Sequence, residues 1–293
     1  MRMEPTAPRR GETCRVFPFE RYSGGGAAAY PRAARRALTE KGYDKVNRQD
    51  LVQQWRALSS SWIQESRGRN PTRKGLLDQP MLEACGDVSG LRVLDCGCGE
   101  GRFSRMLVSR GATYVLGLDS CEPMIEAARE LASGVDEYRV ADVQEMGFLE
   151  DGTFDVSVSY LNQCDLPDFA SNTREVFRVL KPGGRFAVAN LHPMRSATGG
   201  WHKDQAGKKS HAILDSYFDE GERFWELWGE DLTNFHRSLS TYLNEFLDAG
   251  FVVARVVEPT VASSDLRQYP ELEDELRVPN FIIYVLDKPS QAG

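Results

Sequence analysis

Val93-Leu94-Asp95-Cys96-Gly97-Cys98-Gly99-Glu100-Gly101 is the stretch whose reading decides the fold. An apolar run enters a turn with glycine at every second position, and a helical segment follows from Arg102. Alternate glycines remove the Cβ atoms that would hold a ligand off the backbone, and the helix start offers unpaired N–H groups. A polar ligand can dock against such a turn.

From Arg92 onward, β-branched runs alternate with helical segments, which builds a parallel sheet with helices on both faces. The pattern predicts an α/β fold with strands at 92–96, 113–119, 137–141, 154–161, 184–191, 251–258 and 280–287. Helices are expected near 101–110, 123–132, 171–180 and 238–249. Lys181-Pro182-Gly183-Gly184 stops one of them and Gly250 caps another. The second strand ends in Asp119, 24 residues after Asp95, where a carboxylate can bind both hydroxyls of a ribose. The third ends in Ala141-Asp142-Val143, a carboxylate beside a small apolar side chain, which suits an adenine. A dinucleotide fingerprint needs a third glycine where this chain has Arg102, so a nicotinamide oxidoreductase is the weaker reading.

The pattern Asp-x-Gly-x-Gly-x-Gly resembles motif I of the class I S-adenosylmethionine-dependent methyltransferases. Ser120-Cys121-Glu122-Pro123-Met124-Ile125, Phe154-Asp155-Val156 and Val179-Leu180-Lys181-Pro182-Gly183-Gly184 extend the resemblance over roughly residues 70–288. It implies a Rossmann-like, mostly parallel seven-stranded sheet of order 3-2-1-4-5-7-6 with strand 7 antiparallel. It also implies S-adenosylmethionine as cofactor and S-adenosylhomocysteine as product. Gly97 and Gly99 would hold the methionine moiety, Asp119 the ribose and Asp142 adenine N6, with Met124 near the adenine. Asp95, Ser120 and Val143 complete the expected cofactor set. Similarity to bacterial small-molecule members adds Arg73, which would pair with the cofactor carboxylate through a bidentate contact. The reaction implied is in-line methyl transfer to an N, O or C atom of a small molecule. The rival is a non-catalytic cofactor-binding protein with the same fold and a regulatory or assembly role.

Outside this core, residues 1–42 are rich in Pro, Gly and Arg and read as a flexible N-terminal arm. Leu51, Trp55, Leu58 and Trp62 form the stripe of an amphipathic helix between Tyr43 and Gln64, within a helical cap over 43–90. The core then spans 91–293, with an aromatic-rich insertion at 193–235 read as a substrate cap. Within it, 213–218 and 223–228 are expected to pair as a hairpin.

Substrate-lining candidates are Asn162, Gln163 and Trp225; the base candidates are His192, which ends strand five, and His236. No metal is expected: Cys96 and Cys98 lack a second pair at finger spacing, and the four histidines show no short-range ligand spacing. A net charge of −7 in 293 residues disfavours a nucleic-acid surface. No apolar run reaches the ~18 residues of a membrane span. Scattered cysteines and the absence of a signal-like N-terminus predict a cytoplasmic chain. The oligomeric state is not encoded in any pattern found.

Overall fold

The computed structural model describes residues 47–290 together with a two-residue strand at Cys14–Arg15. The arm expected over 1–42 otherwise lies outside the described residues.

The strand entering the glycine turn, β1 (Arg92–Cys96), is central because both of its neighbours pair with it in parallel. These are β2 (Tyr114–Asp119) and β4 (Phe154–Tyr160). Side chains alternate across the sheet: Val93 and Val115 join one core cluster, Leu94, Cys96, Leu116 and Leu118 the other. Both faces are therefore buried, which is why these strands are continuously apolar. With β3 (Asp136–Val140), β5 (Leu180–Leu191), β10 (Val252–Val257) and β11 (Phe281–Asp287), the order is 3-2-1-4-5-11-10. β11 runs antiparallel to both of its neighbours, and the other pairings in the sheet are parallel. This is the Rossmann-like methyltransferase sheet that the resemblance implied.

Helices α3 (Arg102–Ser109), α4 (Glu122–Arg129), α5 (Phe169–Val179) and α7 (Leu239–Asp248) fall where they were expected, to within a few residues. Strand β5 starts four residues before the expected 184, because Leu180 already pairs with Phe154 ahead of an irregularity in the register.

The N-terminal helix α1 runs from Arg48 to Arg67 behind a capping box in which Asn47 and Asp50 bond each other's backbone N–H. It lies against the core through Arg56–Glu122 and against the insertion through Gln54, whose amide exchanges two hydrogen bonds with Thr233. A π-helical turn, Arg73–Leu77, leads into α2 (Asp78–Cys85).

The insertion departs from the expected pairing. After the short α6 (Pro193–Ser196) it forms two hairpins: β6 (Thr198–Lys203) with β7 (Lys209–Leu214), and β8 (Gly221–Leu227) with β9 (Glu230–His236). The tight turn is Trp228-Gly229, with φ of 53° and 88°. Both values are positive, as a type I′ hairpin requires. Tryptophan is an unusual occupant of that turn, so the sequence carried no signal for it, and residues 219–222 lead into and begin β8 rather than forming a hairpin tip.

Candidate active site

Strand β1 delivers Asp95 and the glycine turn to the carboxyl edge of the sheet, beside the ends of β2 and β4. Gly97 has φ of +75°, and a Cβ there would fall inside the Asn162 side chain. Gly99 has φ of +54°; a Cβ on it would project into open space, with Trp62 Nε1 as its nearest neighbour at 3.8 Å. The turn is fastened to β2 by Gly97 N and Cys98 N, which both donate to Leu118 O.

The Asp119 carboxylate closes the turn: Oδ2 accepts from Gly99 N at 2.9 Å and Oδ1 from Cys121 N at 2.8 Å. Burial holds its pKa above the ordinary aspartate range, against those two bonds. One buried oxygen of Asp95 accepts from Ser104 Oγ at 2.6 Å, while Oδ1 has no partner among the described residues. Burial, with the charge of Asp119 nearby, pushes Asp95 up to about 6.

Around this turn opens a cleft with an empty volume of about 1050 Å³, its open mouth included. Asp95, Gly97, Gly99, Asp119, Ser120 and Met124 line it, as do Asp142, Val143, Arg73 and Asn162. Asp142 accepts from Gln144 N and Gln144 Nε2 and pairs with Arg48 at 3.1 Å. The guanidinium of Arg73 sits between the rings of Trp62 and Tyr160, at 4.6 and 5.4 Å from their centroids. Burial and the nearby Arg102 lower its pKa. Two aromatic faces stabilise the cation without satisfying its N–H groups, so it retains donors for an anion. Arg102, where a third glycine would stand in a dinucleotide site, instead forms a bidentate pair with Asp78 at 2.7 and 2.8 Å, tying α2 to the turn.

Several expected residues lie elsewhere. Gln163 is fully buried and bonds Asn172 and Thr173 behind the cleft wall. Trp225 packs on Leu58 and Leu232 beneath α1, with Arg195 over its ring at 4.8 Å. His192 caps α6: its Nδ1 accepts from Met194 N at 3.0 Å and its Nε2 faces Glu258 at 3.1 Å. His236 bonds Ser196 Oγ and Tyr217 O through its two ring nitrogens and is buried. Neither histidine lines the cleft; Met194 N and Glu258 occupy the two ring nitrogens of His192, and Ser196 Oγ and Tyr217 O those of His236. Burial lowers both pKa values, against the pull of Glu258 on His192 and of Tyr217 O on His236.

Trp62, open in the sequence reading between core packing and pocket lining, lies on the cleft wall, as do Tyr160, Glu100 and Asp165, to which the sequence assigned no individual role. Glu100 is buried and held by Ser66 Oγ at 2.8 Å and Arg105 at 2.6 Å, a long-range arrangement with no local signature.

Comparison with known proteins gives this geometry a family. Residues 94–188 match the Methyltransferase domain family. A solved S-adenosylmethionine-dependent methyltransferase from Mesorhizobium loti is 33% identical, with a TM-score of 0.64 over 71% of this chain and 94% of that one. The chain belongs to the class I S-adenosylmethionine-dependent methyltransferases. A solved candidate methyltransferase of the same kind from Listeria monocytogenes is 30% identical, covered over its whole length with a TM-score of 0.68 over 76% of this chain. The ubiquinone biosynthesis O-methyltransferase of Bordetella pertussis is 34% identical over 153 residues, 48% of this chain and 61% of that enzyme.

This methyltransferase uses S-adenosylmethionine, and the cleft fits that group. The turn lacks the Cβ atoms that would obstruct it, Asp95 Oδ1 awaits a donor, and the Arg73 cation retains unspent donors for a carboxylate. Among the described residues, no three His, Cys, Asp or Glu side chains gather as a metal site, and no helix is long and apolar enough to cross a membrane.

Proposed function

We propose that this methyltransferase transfers a methyl group to an N, O or C atom of a small molecule held in the cleft beneath α1. The observation that carries the reading is the glycine turn closed by Asp119 in the same cleft as the Arg73 cation, a binding surface for a nucleoside at one end and a carboxylate at the other.

In this reading Asp119 accepts from the ribose hydroxyls, Asp142 from the adenine amino group, and Val143 and Met124 face the base. Asp95 accepts from the ammonium of the methionine moiety, Ser120 supports the ribose edge, and Arg73 clamps the carboxylate. When bound, S-adenosylmethionine supplies an electrophilic methyl group on a sulfonium. The protein then orients the acceptor at attack distance and keeps water away, with Trp55 and Trp62 of α1 closing one wall of the cleft. The similar enzyme named as an O-methyltransferase supports oxygen as one acceptor atom.

The test is incubation of the full chain with methyl-labelled S-adenosylmethionine and a metabolite extract. A labelled small-molecule product supports transfer. Tight S-adenosylhomocysteine binding with no product from any extract fraction supports the non-catalytic alternative.

A further inference from the structure

One charged group on the cleft wall has no task in cofactor binding. Asp165 ends the 3-10 turn Gln163–Asp165 that follows β4, and its side chain lines the cleft. Its Oδ1 accepts from Asn234 Nδ2 of β9 and, at 3.6 Å, from the Cys164 thiol. Oδ2 makes no hydrogen bond among the described residues. Of the other wall carboxylates, Glu100 is engaged by Ser66 and Arg105, Asp142 by Arg48 and Gln144 and Asp119 by two backbone N–H groups, while the unpartnered Oδ1 of Asp95 is the one assigned above to the cofactor ammonium. Arg237 approaches Asp165 but spends its N–H groups on the carbonyls of Gln163, Leu166 and Pro167. Beside this turn the wall carries Asn162, whose Oδ1 is also without a partner among the described residues, and the apolar Leu166 and Pro167, with Leu51, Val52 and Trp55 of α1 adding apolar lining to the cleft.

We propose that Asp165 takes the proton from the methyl acceptor, and that the acceptor is a neutral molecule presenting a phenolic or enolic hydroxyl on an apolar frame. This rests on the methyl-transfer reading above. A neutral amine brings its own lone pair and needs no base before attack; an ammonium would also need a base, but the apolar Leu166 and Pro167 beside Asp165 suit an uncharged acceptor better than a cation. A hydroxyl gains nucleophilicity as its proton leaves, which is the service an open carboxylate oxygen in a dry wall performs.

The acceptor oxygen forms its bond to the methyl carbon as the carbon–sulfur bond breaks with its electron pair going to sulfur. The O–H proton passes to Asp165 Oδ2, and the carboxyl later releases it to water. Asn234 is a positioning residue, holding Oδ1 so that Oδ2 faces the acceptor. Burial pushes Asp165 up to about 8 and Asp119 adds to the rise, while the bonds from Cys164 and Asn234 and the charge of Arg237 oppose it. The Cys164 thiol and the Tyr242 phenol also face this group; burial raises both, so they stay neutral in the working range. A base with its pKa near the working pH combines availability with driving force.

The test begins with carboxyl carbon NMR of the full chain, wild type against Asp165→Asn, which needs no acceptor. A resonance lost in the variant that titrates near pH 8 is expected; titration in the ordinary aspartate range overturns the proposal. Asn234→Ala should move that midpoint upward, because it removes a bond to the charged form. The second arm uses labelled S-adenosylmethionine and a metabolite extract. The expected product is a methyl ether, formed at a rate that rises with pH and levels above about 8. Asp165→Asn should lower that rate roughly 10²–10⁴-fold with S-adenosylhomocysteine affinity unchanged. Product methylated on nitrogen or carbon, or an Asp165→Asn rate and pH profile like wild type, overturns the proposal. Loss of S-adenosylhomocysteine binding by wild type would instead sink the methyl-transfer reading.

Discussion

At the scale of single residues, burial sets the chemistry of the cleft. Arg73 is held by ring faces rather than by a carboxylate, so an incoming anion gains its donors without displacing an ion pair. Arg73→Met should therefore weaken S-adenosylhomocysteine by about 1.5–3 kcal/mol per charged hydrogen bond lost. Binding of methylthioadenosine, which lacks the carboxylate, should be unchanged. Calorimetric titration with both ligands checks this, and equal losses for the two would remove Arg73 from the carboxylate role. Asp165 also leaves a mark on stability. Its folded pKa of about 8 lies above the ~3.9 of an unfolded aspartate, so the folded chain binds this proton more tightly. The stability it confers is full below about pH 4 and is withdrawn as pH rises through about 8. The melting temperature of Asp165→Asn relative to wild type should therefore climb across that window. A flat difference would mean that the carboxyl is ordinary.

At the scale of elements, the strand–turn–helix around Gly97 was legible because its parts are adjacent in sequence and each glycine has a steric reason. Gly97→Ala combines a positive φ with a collision against Asn162. It should lower stability by roughly 1–3 kcal/mol, read from chemical denaturation, with cofactor affinity falling as well. Full retention of both would mean that the turn tolerates a side chain. The insertion was less legible. Its second hairpin turns on Trp228-Gly229 rather than an Asn-Gly pair, and its ring of polar contacts joins distant segments. The two histidines looked available in sequence because nothing local names Glu258 or Tyr217 as their partners. Asp165 was given no role of its own for the same reason: its amide partner lies 69 residues away on β9.

At the scale of the whole molecule, α1 is fastened at once to the core through Arg56 and Arg48 and to the insertion through Gln54. Among the described residues the cleft wall comes from α1, Arg73 and the core up to Pro167, and the insertion braces α1 from outside it. Every residue assigned to the cofactor lies at or beyond Arg73, so a chain lacking residues 1–20 should bind S-adenosylhomocysteine within a few-fold of full length. Loss of binding on truncation would assign that segment to the site. The sheet order was legible from alternating strands and helices, whereas the docking of α1 on the insertion depends on contacts such as Gln54 with Thr233 that no periodicity encodes. The central claim is that this cleft binds S-adenosylmethionine through Asp119. It is tested most directly by calorimetric titration of S-adenosylhomocysteine into wild type and Asp119→Ala at matched melting temperature. The account predicts saturable one-site binding by wild type and a loss of about 1.5–3 kcal/mol per ribose hydrogen bond in the variant. Wild type that fails to bind, or a folded Asp119→Ala chain with wild-type affinity, would contradict it.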